Sequence, residues 1–180
     1  TTADLRDVIF GGNGNDTING GHGNDELNGS RGDDRLAGGF GADDVIGNAG
    51  NDTLTGSAFS DLLFGGAGED FVNGGFGFDR VNGGDDADQF YHTGDAGHGS
   101  DWIQDYDSSE GDVLFYGAGA DESQFRLITT ETPGAGQAGV HEAFVRYIPT
   151  GQIIWALVDG ADQDAINVRT GSGAEFDLLG

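Results

Sequence analysis

A pattern of nine residues is repeated nine times without a break between residues 11 and 91 of this 180-residue chain. The first position is Gly and the sixth is Asp in every copy, and the eighth is always apolar. The fourth position is Gly in seven of the nine copies and is otherwise Phe59 or Asp86. The sixth-position residues are Asp16, Asp25, Asp34, Asp43, Asp52, Asp61, Asp70, Asp79 and Asp88. Three invariant columns at one period indicate a repeat architecture.

Each copy predicts a turn over its first six positions and a short strand over its last three. Glycine adopts positive φ without steric cost, and a strand places its middle side chain on the face opposite its neighbours. A helix is disfavoured, because each interior Gly costs about 1 kcal/mol relative to Ala. Two copies would complete one winding, so that alternate copies stack about 4.8 Å apart as parallel strands. The sequence therefore predicts an all-β parallel β-roll of eighteen residues per winding, with the eighth positions inside.

The conserved aspartates require a counter-ion in this arrangement. Stacked turns would place the carboxylates in columns with a spacing of about 5 Å, where unpaired negative charges repel one another. Carboxylates together with backbone carbonyls suit Ca²⁺, which takes about six to eight oxygen ligands. The turns are therefore candidate calcium sites.

The pattern resembles the RTX (hemolysin-type) calcium-binding repeats. The resemblance implies that each ion lies between turns eighteen residues apart, and that the chain binds about six to eight Ca²⁺. One turn would supply its Asp and the carbonyls of positions 2 and 4, and the later turn its Asp and the carbonyls of positions 1 and 3. The implied ligand sets are Gly12, Gly14, Asp16, Gly29, Arg31 and Asp34; Gly21, Gly23, Asp25, Gly38, Phe40 and Asp43; Ser30, Gly32, Asp34, Gly47, Ala49 and Asp52; Gly39, Gly41, Asp43, Gly56, Ala58 and Asp61; Asn48, Gly50, Asp52, Gly65, Ala67 and Asp70; and Gly66, Gly68, Asp70, Gly83, Asp85 and Asp88. Gly75, Gly77, Asp79 and Asp101 are further candidates, although Phe59 breaks the pattern in the turn that would pair Asp61 with Asp79.

The charge of the chain limits its partners. The formal net charge is −25, from 32 acidic residues against 7 basic ones. That balance argues against binding to nucleic acid or to an anionic membrane, whereas eight Ca²⁺ would reduce the net charge to about −9. The chain has no cysteine, which fits an exported protein that is stabilised by metal instead of disulfides. It also has no apolar run long enough to span a membrane. With 36 glycines, disorder is the competing expectation, above all without calcium.

The segments that flank the repeats predict the ends of the roll. Residues 2–10 read as a worn copy, and residues 98–103 restore the pattern after a shift of four residues. In the closing segment, two roles are expected for Asp101, Asp105 and Asp112: they are either ligands of a terminal ion or solvated turn residues. The roll is predicted to occupy residues 1–115, with residues 92–115 closing it, and an antiparallel β cap to occupy residues 116–180. The final stretch, residues 175–180, is either similar to a type I secretion signal or a last strand.

No catalytic centre is visible in the sequence. His141-Glu142 lacks the second histidine of a zinc protease motif, because Val145 occupies that position. The four histidines, which are His22, His92, His98 and His141, are expected at the surface or in the cap. Aromatic residues at or near turns are expected either to bind a sugar or another surface or to pack against the cap or a neighbour; they are Phe40, Phe76, Phe78 and Trp102.

The predicted function is that of a secreted, extracellular or cell-surface calcium module without catalytic activity. It would pass the type I secretion machinery unfolded, fold on calcium outside the cell, and stabilise an exported protein. The chain begins in the middle of the pattern and without an initiator Met, so we expect it to be the C-terminal piece of a longer protein. The alternatives are an accessory module of a secreted enzyme, such as a serralysin-like protease or a mannuronan epimerase, and part of an RTX adhesin that binds a glycan or another surface.

Overall fold

The computed structural model describes residues 6–95, 97–130 and 141–180, and within these it consists almost entirely of short β-strands. Residues 2–5 of the worn copy and the turn-forming stretch 132–139 lie outside the described residues. The strands are β1 (Val8–Asn13), β2 (Thr17–His22), β3 (Glu26–Arg31), β4 (Arg35–Phe40), β5 (Asp44–Ala49), β6 (Thr53–Ala58), β7 (Leu62–Ala67), β8 (Phe71–Phe76), β9 (Arg80–Asp85), β10 (Gln89–His92), β11 (Asp101–Ile103), β12 (Val113–Tyr116), β13 (Phe125–Thr130), β14 (Glu142–Tyr147), β15 (Gln152–Leu157), β16 (Asn167–Thr170) and β17 (Glu175–Asp177). Two single-turn 3₁₀ helices span Glu122–Gln124 and Gly160–Asp162.

The strands of the repeat region form two parallel sheets in which alternate copies are neighbours. One sheet has the order β1-β3-β5-β7-β9-β11 and the other β2-β4-β6-β8-β10-β12. Leu27 pairs with Val45, and Val45 with Leu63, so the register advances by eighteen residues per winding. The predicted all-β parallel roll is confirmed.

The strands are longer and the turns shorter than the sequence predicts. Each of β2 to β9 covers the last three positions of one copy and the first three of the next, so that only positions 4–6 form the turn. Gly21 pairs with Gly39 and His22 with Phe40, although both pairs lie in the glycine-rich part of the repeat. Because each copy stacks on another copy of the same pattern, its backbone groups find partners there even where the strand propensity is low.

The eighth positions face the interior of the roll, as expected. Leu27, Val45, Leu54 and Leu63 are fully buried, and the column continues without a break into the C-terminal strands. This narrow file of apolar side chains is the core that positions the turns on either side.

The C-terminal strands extend both sheets across the expected boundary at residues 115 and 116. Strand β15 pairs with β11 in parallel and starts an antiparallel extension, β15-β14-β13. Strand β16 pairs with β12 in parallel and with β17 in antiparallel fashion. The antiparallel cap is therefore present, but its first strand in each sheet continues the winding. Residues 175–177 form the last strand, and Phe176 packs against the core.

Trp155 is the largest side chain that is fully buried where the cap meets the roll. Its ring lies 5.9 Å from the ring of His92, in an edge-to-face arrangement. We expect Trp155→Ala to lower the unfolding free energy by about 3–5 kcal/mol, the usual cost of emptying such a site. Urea unfolding in saturating calcium measures this loss. The matched control is Trp102→Ala, because Trp102 is only half-buried against Phe144, and an equal loss in both variants would contradict the expectation.

Candidate metal sites

The turns share one backbone conformation, in which positions 2 and 4 of every copy have positive φ. Phe59 also adopts it, with φ of 84°, although its side chain is 63% exposed. For a residue with a Cβ this conformation costs roughly 1–2 kcal/mol, so the windings above and below must impose it. Phe59 thus breaks the sequence pattern but keeps the backbone conformation of the other turns.

The sixth-position aspartates form a hydrogen-bonded ladder along each edge of the roll. The backbone N–H of one aspartate donates to Oδ1 of the aspartate eighteen residues later, at 2.7–2.9 Å. The pair Asp61 and Asp79, which Phe59 was expected to disturb, has the same bond at 2.9 Å. One oxygen of each carboxylate from Asp25 to Asp88 is thus held by the backbone, and the direction of the other is fixed.

The second carboxylate oxygen has no partner. Oδ2 is buried and accepts no hydrogen bond within the described residues in nine aspartates, which are Asp16, Asp25, Asp34, Asp43, Asp52, Asp61, Asp70, Asp79 and Asp88. A buried acceptor without a partner costs about 1–3 kcal/mol, and more when it is charged. Such a regular row of costly atoms indicates that each one faces a ligand.

These oxygens point into small spaces that are also bordered by backbone carbonyls. A methyl group added to Gly20 would lie 2.6 Å from Oδ2 of Asp25 and 2.6 Å from the carbonyl oxygen of Gly38. At Gly11 the corresponding distances are 2.7 Å to Asp16 Oδ2 and 2.9 Å to the carbonyl oxygen of Gly29. The structure thus brings together the aspartate and the position-1 carbonyl that the family resemblance places on one ion.

The other implied carbonyls stack in register. The carbonyl of Arg31, at position 3, accepts a hydrogen bond from the N–H of Gly14 at 2.8 Å, and it keeps a second lone pair. A methyl group on Gly32 would lie 2.5 Å from the carbonyl oxygen of Gly14, which shows how closely the fourth positions of successive windings approach. The donor set is all oxygen and suits a hard cation such as Ca²⁺.

Replacing Gly20 by Ala tests whether an ion occupies the space between Asp25 Oδ2 and the carbonyl oxygen of Gly38. The φ of Gly20 is outside the left-handed region, so Ala can adopt it, but the added methyl group would lie 2.6 Å from each of the two candidate ligand oxygens and force them apart. We expect the loss of one site, worth about 2.7 kcal/mol of stabilisation at a calcium concentration 100 times the Kd. Calorimetric titration and urea unfolding in calcium measure it. Gly119→Ala is the control, since its nearest neighbour would be 3.6 Å away; equal effects of both changes would refute this use of the space.

The ladder continues past the repeats through a longer interval. The N–H of Trp102 donates to the carbonyl of Asp79 at 2.8 Å, as that of Arg80 does to Asp61 at 2.9 Å. Asp101 therefore follows Asp79 in the ladder after 22 residues instead of eighteen, and its Oδ1 is buried without a partner. Burial raises the pKa of Asp101 well above its ordinary value, and the nearby Asp79 carboxylate adds to this.

Asp105 and Asp112 differ from the ladder residues, because both oxygens of each carboxylate accept backbone hydrogen bonds. Asp105 accepts from Gly83 and Gly84 at 3.0 and 2.7 Å. Asp112 accepts from the N–H groups of Asp88 and Asp107 at 2.9 and 2.8 Å. These two residues close the last winding with backbone donors, and Asp112 is buried rather than solvated.

Burial raises the pKa of the six ladder carboxyls from Asp43 to Asp88. The pKa is raised to about 6 at Asp52, to about 7 at Asp61 and Asp70, and to about 8 at Asp88, in each case chiefly by burial. The arginines within the repeats, which are Arg31, Arg35 and Arg80, are exposed. None of these three arginines is therefore buried beside the aspartates. A bound cation or a proton must neutralise the ladder carboxylates instead.

Two histidines were expected in exposed or cap positions and are instead buried where the roll ends. His92 and His98 have their ring centroids 4.5 Å apart, and burial lowers the pKa of His92 to about 4. His22 and His141 are exposed.

Among the aromatic residues at or near turns, Phe40, Phe76 and Phe78 are exposed, whereas Trp102 is half-buried. Within the described residues no three His, Cys, Asp or Glu side chains form a metal-binding group.

Comparison with known proteins identifies the repeat. The model of the RTX calcium-binding nonapeptide repeat (4 copies) matches residues 2–36, 19–54, 28–63, 46–81 and 64–98, and together these matches span more than half of the chain. Among solved structures, the AlgE6R3 subunit of the mannuronan C5-epimerase from Azotobacter vinelandii is similar at 26% identity and a TM-score of 0.38, over 79% of this chain and 70% of that one. No curated protein matches significantly. In the described part of the chain no helix is long and apolar enough to cross a membrane.

Proposed function

Because the chain belongs to the family of RTX calcium-binding nonapeptide repeats, we propose that it is a calcium-gated folding module. The residues present fit the ion: each turn offers a buried carboxylate oxygen without a partner beside the carbonyls of the next winding. Bound calcium would neutralise these carboxylates and link successive windings. The buried, unpaired Oδ2 atoms are the single observation that supports this function most strongly.

Folding and binding are coupled in this proposal because neither the core nor the turns are sufficient alone. The core is a single file of one apolar side chain per copy, whereas the ladder buries one carboxylate per copy. Removing the cation leaves rows of buried like charges whose pKa values are already raised by burial. A preformed site is absent from the unfolded chain, so the binding free energy becomes folding free energy.

Export is the setting in which such a switch is useful. In a cytosol low in calcium, a chain with a net charge of −25 would stay extended by self-repulsion and could pass a type I export channel. Outside the cell, calcium at millimolar levels would fill sites with Kd of about 10⁻⁴–10⁻³ M, the range of extracellular modules. The module would then fold and stabilise the protein that carries it.

We also propose that the module is not itself a catalyst. Its carboxylates recur at the period of the windings, with one oxygen bound to the backbone and the other inside a turn. A general acid or base instead needs to reach a substrate in a cleft. Their arrangement therefore supports ion binding along the roll.

A calcium titration of the metal-free protein, followed by far-ultraviolet circular dichroism, tests the folding proposal. We expect a cooperative change from coil to β-sheet between sub-millimolar and millimolar calcium. Magnesium is the control, because it demands octahedral geometry and dehydrates reluctantly, so it should fail to drive the change. A full β-sheet spectrum in excess chelator would overturn the proposal.

A further inference from the structure

The third positions of the even-numbered copies form an aromatic row with one member missing. We call these residues the third-position row: His22, Phe40, Ala58, Phe76 and, in the winding after the repeats, His98. The sheet register pairs His22 with Phe40, Phe40 with Ala58, and Ala58 with Phe76. His22 and Phe40 stack with their centroids 4.8 Å apart and an interplanar angle of 16°. These two rings thus stack at the spacing of the windings, whereas Phe76 and His98 lie 5.2 Å apart with their ring planes tilted by 53°.

Ala58 leaves a gap in this row that is one ring thick. Phe40 and Phe76 are separated by two windings, or about 9.6 Å, so a ring midway would lie about 4.8 Å from each. Both phenylalanines are more than half exposed, at 58% and 55%. An open cavity of about 580 Å³ is lined by both rings, by Ala58 and by His22. The space therefore admits one flat ring with an apolar wall on either side.

The lining of the gap is uncharged and has polar groups along its edge. Asn19 and Ser57 line the cavity beside the aromatic rings, and no Asp, Glu, Arg or Lys does so. Neither side chain has a hydrogen-bond partner among the described residues, so each offers its donors and acceptors to a ligand. A ligand that fits has apolar faces, a polar edge and no net charge.

We infer that the third-position row binds a pyranose ring of a neutral polysaccharide, inserted between Phe40 and Phe76 over Ala58. The C–H faces of such a ring would meet the negative faces of the two phenylalanines, and its hydroxyl groups would reach Asn19 and Ser57. A purely aromatic ligand would displace water from Asn19 and Ser57 without offering them a hydrogen bond in return. An anionic sugar would meet the negative potential of the chain, and a cationic one would find no carboxylate in the lining.

Binding of defined oligosaccharides to the protein in saturating calcium tests the inference. The neutral probes are cellohexaose and maltohexaose, and the others are a hexagalacturonate, a hexaglucosamine and N-acetyltryptophanamide. We expect saturable binding of a neutral probe by calorimetry, with shifts of the Phe40 and Phe76 ring resonances. No saturable binding of either neutral probe, or tighter binding of a charged or purely aromatic probe, would overturn the inference.

Three substitutions locate the binding in the gap. Phe40→Ala and Phe76→Ala should each weaken it roughly three- to tenfold, and Ala58→Phe should abolish it by completing the row. Phe78→Ala removes an equally exposed ring outside the row and should leave the affinity unchanged. Circular dichroism in the same buffer verifies that each variant folds. If Ala58→Phe does not fold, the comparison of Phe40→Ala and Phe76→Ala with Phe78→Ala tests the site. Equal losses in all three alanine variants, or undiminished binding by folded Ala58→Phe, would refute the site.

Discussion

Asp52→Asn is expected to weaken the response to calcium and, at the same time, to stabilise the metal-free fold. Asp52 belongs to two of the implied ligand sets, so its neutralisation should impair two ions. At calcium 100 times the Kd, the loss amounts to about 5 kcal/mol of unfolding free energy, from about 2.7 kcal/mol per site. Urea unfolding and titration calorimetry in calcium measure this loss.

The opposite effect in chelator follows from the surroundings of Asp52. Its Oδ1 accepts from the N–H of Asp34 at 2.7 Å, a bond that Asn can also accept. The amide nitrogen of Asn would take the place of Oδ2, beside the carbonyl of Gly65, and could donate to it. Burial raises the pKa of Asp52 to about 6, so at pH 8 the wild-type chain must bury a charge that the variant lacks. In chelator at pH 8, Asp52→Asn should therefore show more β-sheet than the wild type.

Asp33→Asn is the matched control for this experiment. It removes the same charge one winding earlier, but Asp33 is exposed; its Oδ1 accepts from the N–H of Asn51 at 3.1 Å and its Oδ2 from the side-chain N–H of Asn15 at 3.5 Å. Asn already occupies this column at Asn15 and Asn51. Both readouts should stay close to the wild type. Identical behaviour of Asp33→Asn and Asp52→Asn would mean that overall charge, and not the ladder, controls folding.

Protons should partly replace calcium in the metal-free chain. Burial raises the folded-state pKa to about 6 at Asp52, about 7 at Asp61 and Asp70, and about 8 at Asp88, from an ordinary value of 3.8. A raised pKa means that the folded state binds the proton more tightly than the unfolded state does. The stabilisation is complete below pH 3.8 and is lost as the pH rises from about 6 to 8. In chelator, we therefore expect more β-sheet at pH 5 than at pH 8.5.

The same pH change should have opposite effects on folding in chelator and in calcium. Calcium binds the deprotonated carboxylates, so its affinity should fall as the pH falls from 8 to 5. Circular dichroism measures the β-sheet content in four conditions, at pH 5.0 and at pH 8.5, each in chelator and in calcium. Both pH values lie above the sequence pI of about 4.1. Asp61→Asn should reduce the gain at pH 5 in chelator. Absence of that gain in the wild-type chain would show that the buried charges do not limit folding.

The third-position row shows how a strict repeat can present a site through its exceptions. Position 3 varies between copies because its side chain points away from the core and takes no part in the implied coordination, which uses its carbonyl. Phe40, Ala58 and Phe76 therefore share one backbone arrangement and differ only in what they display. Calcium binding and a surface site are compatible on the same turns for this reason.

The repeat by itself determined the period, the inward face and the chemistry of the turns. A winding of a roll contacts mainly the windings beside it, so an eighteen-residue spacing fixes the neighbours of every residue. The burial of Leu27, Val45 and Leu63, and the pairing of Asp34 with Asp52, follow from that spacing alone. The repeat motif did not indicate that positions 1–3 extend the strands, because Gly21 and Gly39 pair with each other only once their two copies are stacked.

Tertiary structure decided the outcome wherever the period fails. Phe59 keeps the left-handed turn because its neighbours impose it, and Asp101 joins the ladder although it follows Asp79 after 22 residues instead of eighteen. The parallel pairing of β15 with β11 connects residues more than fifty positions apart, which no local pattern encodes. A periodic sequence specifies contacts between adjacent windings, whereas contacts between non-repeating segments depend on the shape that the finished roll offers at its end.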